Sequence, residues 1–171
     1  MRSWLCAALL LTSSMFVLAE DAPKVENLMK PIGSLESWRF EQHEGGKGLI
    51  SVDGDTVTFS ATELDGTDWH LQVFQIGLDL KDGEDYTFSF EAKSAERRAV
   101  MIQAGIDEED FHEIGLHEEI SAVPPEYKKY EYNFSASNVA AGGKNRIGFV
   151  LGSEKGAMTL KNVVLKKKPK S

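Results

Sequence analysis

The sequence predicts an all-β fold in which two antiparallel sheets pack as a sandwich. Three observations favour this fold: short apolar-polar alternations recur along the chain, turn residues separate them, and no stretch has a long helical period. The chain also has no internal repeat and no low-complexity block. About ten short strands in about 130 residues suit two packed sheets.

Residues 1–19 are interpreted as a secretory signal. Arg2 precedes an apolar run that begins at Trp4, and the run ends in Val17-Leu18-Ala19, where small residues suit signal peptidase. An N-terminal membrane anchor is the alternative. The run is shorter than the about 20 apolar residues that a spanning helix needs. We therefore expect a secreted or periplasmic protein with no membrane insertion after signal cleavage.

Cleavage leaves about 150 residues, enough for one domain. We assign residues 20–165 to a single β-sandwich and residues 166–171 to a basic C-terminal tail that solvent surrounds. Cys6, the only cysteine, lies within the signal. The mature chain therefore has no thiol, which excludes disulfides, cysteine metal sites and cysteine nucleophiles.

The formal net charge of −8 argues against nucleic acid as the main partner. The same balance argues against anionic lipid. Lysines are concentrated at the C-terminus, and we expect this segment to be a solvated tail. The alternative is that it binds weakly to an acidic surface.

Each predicted strand is an alternating segment between turn residues. In chain order the strands are 38–42, 48–52, 56–61, 69–74, 86–93, 98–106, 113–120, 129–135, 146–151 and 157–165. The turn signals are 53–55, 65–66, 82–83, 124–125, 142–143 and 153–156, which contain Asp-Gly, Pro-Pro and Gly-Gly pairs.

The clearest alternation covers residues 69–94, where two strands flank the turn 81–84. Side chains alternate faces along a strand, so one face of each strand is apolar: Trp69, Leu71 and Val73 in the first, and Tyr86, Phe88 and Phe90 in the second. We expect these two strands to form an antiparallel pair with one packed face and one solvated face.

Residues 68–103, 128–136 and 146–165 resemble the CenC-type carbohydrate-binding modules, the group that contains families 4, 9 and 22. The resemblance rests on a Trp-x-x-Gln strand (69–72), a Leu-x-x-Gly-x-x-Tyr turn (80–86) and a closing apolar strand, in that order. It implies a galactose-binding-like jelly roll with a ligand groove on one sheet. It also implies a carbohydrate ligand that the module binds without cleaving it.

A sugar groove needs flat apolar faces that stack on pyranose rings, and polar groups that bind the hydroxyls. Gln72 aligns with a glutamine that such modules often place in the groove. The outward faces supply the rest of the predicted set, which is His70, Gln72, Glu91, Gln103, His117 and Arg146. Glu91 is included because the outward faces of its strand and of the Gln72 strand would form one wall.

Aromatic residues are harder to assign. Alternation favours the core for Trp69, whereas the resemblance allows an aromatic at this point to border the groove. Phe111 lies in the acidic loop 107–113, where it is either a platform for a sugar or tucked under its own loop. Trp38 is expected to seal the sandwich.

No cofactor is expected. Modules of this type often carry a structural calcium, but Lys161 stands where the aspartate ligand is expected, and an ammonium repels the ion. We expect Lys161 to pair with Glu36 instead. His112 and His117 would point to opposite faces of a strand, so a zinc site is not expected either.

The sequence contains no HExxH, Gly-x-Ser-x-Gly, phosphate-loop or dinucleotide motif, so no enzyme is expected. The acidic loop 107–113 is expected to be solvated. Two alternatives remain open. One is an interaction protein that docks on an envelope protein partner. The other is a small polysaccharide lyase that uses Tyr132, His117 and Arg146.

Overall fold

The computed structural model describes residues 26–169, which form ten strands. The strands are β1 (Arg39–Gln42), β2 (Lys47–Asp53), β3 (Thr56–Glu63), β4 (Leu71–Leu78), β5 (Asp85–Lys93), β6 (Val100–Ile106), β7 (Glu113–Ile120), β8 (Lys128–Ser135), β9 (Asn145–Val150) and β10 (Gly156–Lys167). Two 3₁₀ turns, Leu35–Ser37 and Asp68–His70, complete the described elements. All ten predicted strands are present, with ends that differ by a few residues.

The strands form two five-stranded antiparallel sheets, and the predicted all-β jelly-roll sandwich is confirmed. One sheet has the order β1-β4-β9-β6-β7 and the other β2-β3-β10-β5-β8. Each sheet therefore joins strands that are distant in sequence. For this reason the fold depends on long-range pairing.

The core lies between the sheets and is rich in aromatic side chains. Phe88 and Phe90 of β5 are at most 1% exposed. The ring of Phe149 meets that of Phe90 edge-on at 5.1 Å, which joins the two sheets. Trp38 packs on Phe59 at 5.1 Å and is buried, so the prediction that it seals the sandwich is confirmed.

The predicted pairing of the strands around the turn 81–84 is wrong. β4 pairs with β1 and β9, whereas β5 pairs with β10 and β8. Residues 79–84 carry the chain from one sheet to the other instead of closing a hairpin. The alternation gives each strand an apolar face, and such a face is buried between the sheets whichever of the two sheets the strand belongs to.

The first predicted residues of β4 are also different in the structure. Trp69 and His70 belong to the 3₁₀ turn Asp68–His70, and the regular strand begins at Leu71. Trp69 is therefore outside the strand, and the alternation that favoured a core position does not apply to it. Its side chain is 51% exposed.

β10 extends to Lys167, two residues into the segment predicted to be a tail, and the Lys167 ammonium lies 3.1 Å from Glu84. The predicted signal with Cys6 and the terminal Lys170 lie outside the described residues. Among residues 26–169, no helix has the length and apolar character to cross a membrane.

Candidate functional site

An open groove with a volume of about 770 Å³ crosses the outer face of the β1-β4-β9-β6-β7 sheet. Its size is in the range of small-ligand sites. The lining combines carboxylates, guanidinium groups, amides, an imidazole and two aromatic rings. These are Arg39, Glu41, His43, Trp69, Gln72, Gln103, Asp107, Glu108, Glu109, Phe111 and Arg146.

Strand register places the floor of the groove in two rows that cross all five strands. Alternate residues point away from the core, so positions opposite one another share this outer face. One row is Arg39, Phe74, Gly148, Gln103 and His117, and the next is Glu41, Gln72, Val150, Met101 and Glu119. The polar groups of the groove thus come from strands that are separated in sequence.

Arg39 anchors a charge network at the β1 side. Its guanidinium binds both carboxylate oxygens of Asp107, with 3.0 Å from Nη1 to Oδ2, and its Nε lies 2.7 Å from Oε1 of Glu41. Burial alone lowers the pKa of Arg39, but the Asp107 hydrogen bond and the Glu41 charge outweigh it and raise that pKa. This pair ties the loop after β6 to the opposite edge strand.

Arg146 lies close to two aromatic rings in the site. Its guanidinium carbon is 4.1 Å from the centroid of Phe74 and 4.9 Å from that of Phe111. Nη1 lies 3.6 Å from Oε1 of Glu41, and the residue is 5% exposed. Burial lowers its pKa, and Glu41 opposes that shift. The charge of Arg146 is thus shielded from solvent and already has a counter-ion.

Two amides are positioned on the floor. Gln72 donates from Nε2 to Oε2 of Glu41 at 3.2 Å, and Gln103 donates from Nε2 to Oε1 of Glu113 at 3.2 Å. These bonds fix the amide planes and leave each amide oxygen as an acceptor. Such groups can bind the hydroxyls of a ligand that lies across the strands.

Aromatic side chains form two rims of the groove. Trp69 precedes β4 and is 51% exposed, and Phe111 stacks over Arg146 and is 50% exposed. Arg146 is opposite Ile76 in register. Gln72, near the Trp69 rim, and Ile76, near the Phe111 rim, are four residues apart on β4, which is about 13 Å. The two rims therefore lie toward opposite ends of the strands.

Three of the six predicted site residues line the groove: Gln72, Gln103 and Arg146. His70 does not, because the 3₁₀ turn directs its Nδ1 to Oδ2 of Asp65 at 2.6 Å. The ring of Trp69 meets the His70 ring edge-on at 4.2 Å. His70 therefore supports the Trp69 rim from outside the groove lining.

His117 and Glu91 lie elsewhere. His117 is opposite Gln103 on the edge strand β7, on the same face but outside the groove lining, and its Nδ1 contacts Glu113. Glu91 is on β5 in the other sheet, where it accepts a hydrogen bond from Asn162 Nδ2 at 2.6 Å. The prediction that Gln72 and Glu91 share one wall is wrong, because the two strands belong to different sheets.

Several groove residues were not predicted from the sequence. Arg39 and Glu41 are the polar positions of the β1 alternation, a signal visible in the sequence, and His43 follows that strand. Asp107 belongs to the loop that was expected to be solvated, yet it faces Arg39. No local pattern shows that β1 and this loop meet over β4 and β9.

The residues do not fit a structural calcium at the predicted position. The Lys161 ammonium lies 3.3 Å from Oε2 of Glu91, so the expected pairing with Glu36 is wrong. The hydrogen bond from Asn162 and, secondarily, Lys161 lower the pKa of Glu91. Within residues 26–169, no three histidine or carboxylate side chains form a group suited to a metal ion.

Known proteins provide an independent comparison. Among solved structures, the chain is similar to one described as "CBM4 structure and function", with a TM-score of 0.68, 16% identity, and coverage of 83% of this chain and 97% of that one. It is also similar to the N-terminal cellulose-binding domain of Cellulomonas fimi β-1,4-glucanase C, with a TM-score of 0.61, 17% identity, and coverage of 83% and 99%.

A third similar structure is the CBM22-1 xylan-binding domain of a Paenibacillus barcinonensis protein, with a TM-score of 0.51, 11% identity, and coverage of 85% and 93%. These low identities show a common fold. A search of curated proteins finds no match.

The sequence itself carries the stronger signal. Residues 21–150 match the family model described as "Carbohydrate binding domain", and that span is most of the chain. It includes nine of the ten strands and the residues that line the groove. The chain therefore belongs to the carbohydrate binding domain family.

Proposed function

We propose that the protein binds a carbohydrate chain in the groove on the β1-β4-β9-β6-β7 sheet and does not cleave it. The observation that carries this proposal is the pair of half-exposed rings, Trp69 and Phe111, at two rims of a groove with a polar floor. Rings stack on the C–H faces of sugars, and amides or carboxylates bind the hydroxyls. Family membership supports the same function.

The groove residues fit binding better than catalysis. Glu41 and Asp107, two carboxylates of the groove, are both engaged by Arg39. The set proposed for a lyase is not assembled, because Tyr132 is on β8 of one sheet whereas His117 and Arg146 are on the other. Members of the family are typically non-catalytic.

An interaction protein that has lost its sugar groove is the competing function. Such a protein is expected to have an outward sheet face without exposed aromatic residues. The exposed rings of Trp69 and Phe111 disfavour it, although docking on an envelope protein through the same face remains the outcome to test.

Affinity electrophoresis against soluble glucans, xylans, mannans, galactans and pectins tests the proposal. We expect one polymer to retard the protein. Trp69→Ala and Phe111→Ala are each expected to weaken retardation about tenfold, the order of a lost aromatic contact. Leu49→Ala is the matched control, because Leu49 is 67% exposed but lies on β2 of the other sheet.

The results separate the two functions. Retardation that only the two groove variants weaken, with unchanged circular dichroism, supports sugar binding. If no polymer retards the protein, the interaction function becomes the better account.

We further propose secretion through residues 1–19 and a fold that needs no calcium. N-terminal sequencing of the exported protein should begin at Glu20. The thermal midpoint should be the same in calcium and in a chelator, because Lys161 occupies the expected ligand position. A chelator-induced drop in the midpoint would contradict the second proposal.

A further inference from the structure

We infer that the groove selects its glycan by charge and prefers sugar chains that carry protonated amines to chains that carry carboxylates or sulfates. This inference rests on the proposed function, because it names the class of carbohydrate that the same groove takes.

Acidic groups outnumber basic ones in the groove. Its lining contains four carboxylates, Glu41, Asp107, Glu108 and Glu109, against the two guanidinium groups of Arg39 and Arg146. Lys144, near the rim, is 2.5 Å from Glu108 and offsets one more acid. Two further acids of β7, Glu113 and Glu119, lie on the same sheet face. A cleft lined mainly by one sign of charge attracts ligands of the opposite sign.

The two guanidinium groups already have anionic partners. Arg39 binds Asp107 in a bidentate ion pair and also contacts Glu41. Arg146 contacts the rings of Phe74 and Phe111 and has Glu41 at 3.6 Å. An incoming carboxylate or sulfate would have to displace Asp107 or Glu41 from these contacts, and a free anion would remain in the groove. The arginines therefore do not make the groove a site for anionic sugars.

Two carboxylates on this face remain without partners. Glu109 lines the groove, and Glu119 lines an adjoining hollow of about 130 Å³. Across residues 26–169 neither side chain makes a hydrogen bond or an ion pair within the chain. Glu119 continues the floor row of Gln72 and Met101, whereas Glu109 belongs to the loop after β6.

Both groove arginines have a buried donor without an acceptor. Nε of Arg39 and Nε of Arg146 make no hydrogen bond in the described part of the chain, and Arg146 is only 5% exposed. A buried donor without an acceptor is costly unless a ligand supplies one. A neutral sugar chain brings no further charge to these arginines, and ammonium groups on an amino-sugar chain can pair with Glu109 and Glu119.

Three pentasaccharides on one β-1,4-linked backbone test the inference. They consist of glucose, of glucosamine, and of glucose oxidised to a carboxylate at C6. The first two differ only in a hydroxyl or an ammonium at C2. Affinities are measured by calorimetry at one pH, at which the amines are protonated and the carboxylates ionised. A single pH keeps the charges of the groove residues the same for all three ligands.

At about 10 mM salt, where the Debye length is about 30 Å, we expect the amine chain to bind about fivefold more tightly than the glucose chain. The carboxylate chain should bind more weakly than either. The ratio of the affinity for the amine chain to that for the glucose chain should fall toward one as the salt concentration approaches about 1 M. Glu109→Gln and Glu119→Gln should each reduce it, whereas Glu126→Gln, at an exposed position outside the groove, should not.

The failures of the two proposals are distinguishable. If the glucose chain binds as tightly as the amine chain, or the carboxylate chain binds most tightly, charge selection is overturned while sugar binding stands. If none of the three binds, charge selection is likewise overturned, and the polymer panel then decides whether the groove binds sugar.

Discussion

At the scale of single residues, two buried arginines have different roles. Arg98 is 1% exposed and donates to the carbonyl oxygens of Leu151 at 2.5 Å and Gly156 at 2.7 Å. Its partners are backbone groups, so it holds the β9-β10 connection in place. Arg146 is nearly as buried, yet its Nε makes no hydrogen bond within residues 26–169, and it contacts Phe74 and Phe111. Hydrogen bonding to the backbone thus separates a structural arginine from one that lines the groove.

Replacement of Arg98 tests this difference. Arg98→Leu removes the donor from the carbonyl groups of Leu151 and Gly156 and from that of Ala99, and we expect it to lower the free energy of unfolding by about 3 kcal/mol. Urea denaturation measures the change. Arg97→Leu is the control, because the adjacent side chain is exposed, and its effect should stay within about 0.5 kcal/mol. Equal effects of the two substitutions would contradict the structural role of Arg98.

The sequence predicted Gln72, Gln103 and Arg146 as groove residues because each occupies an outward position of an alternating strand. The same reasoning failed for His70, since a 3₁₀ turn replaces the strand at that point. It also failed for Glu91, which does face outward, but on the other sheet. Alternation therefore identifies which side chains leave the core, and it does not identify the sheet they belong to.

At the scale of elements, one buried amide connects three segments near the groove. Asn145, the first residue of β9, donates from Nδ2 to the carbonyl oxygens of Leu78 and Ala140, both at 2.9 Å. Its Oδ1 accepts from the backbone N–H of Ala140 at 2.9 Å. The end of β4 and the loop before β9 are thereby fixed beside Arg146.

Asn145→Ala should lower the free energy of unfolding by about 2 to 3 kcal/mol, because buried backbone groups lose their partners. Thermal and urea unfolding report this change. Asn133→Ala removes an exposed bond to Thr87 and serves as the matched control, with an expected change below about 0.5 kcal/mol. A stability equal to wild type for Asn145→Ala would show that water replaces these bonds.

At the scale of the whole molecule, acid should destabilise the fold. The hydrogen bond with His70, together with the backbone N–H of Thr67, lowers the pKa of Asp65 from 3.8 to about 2. The pKa values of Glu63, Glu91 and Glu131 are lowered as well, chiefly by hydrogen bonds from Lys47, Asn162 and Lys129. The stability from a depressed carboxyl pKa is complete above the unfolded value and is lost as pH falls through the folded value.

We therefore expect the urea midpoint to fall as the pH decreases from about 5 to about 2. Asp65→Asn should flatten this fall between pH 3.8 and about 2, the window set by its two pKa values. The exposed Asp55→Asn, in the turn between β2 and β3, is the control. An unchanged pH profile in Asp65→Asn would mean that its bond with His70 does not persist in solution.

The sequence by itself determined the ten strands, the all-β class and the apolar face of each strand, because side-chain alternation and turn chemistry are local properties. Sheet membership was decided only by the tertiary structure, which separates β4 from β5 and places Glu91 away from Gln72. The groove depends on β1 and the loop after β6 meeting across β4 and β9 through Arg39 and Asp107. That contact joins residues 68 positions apart, and no local pattern specifies which distant strands pair.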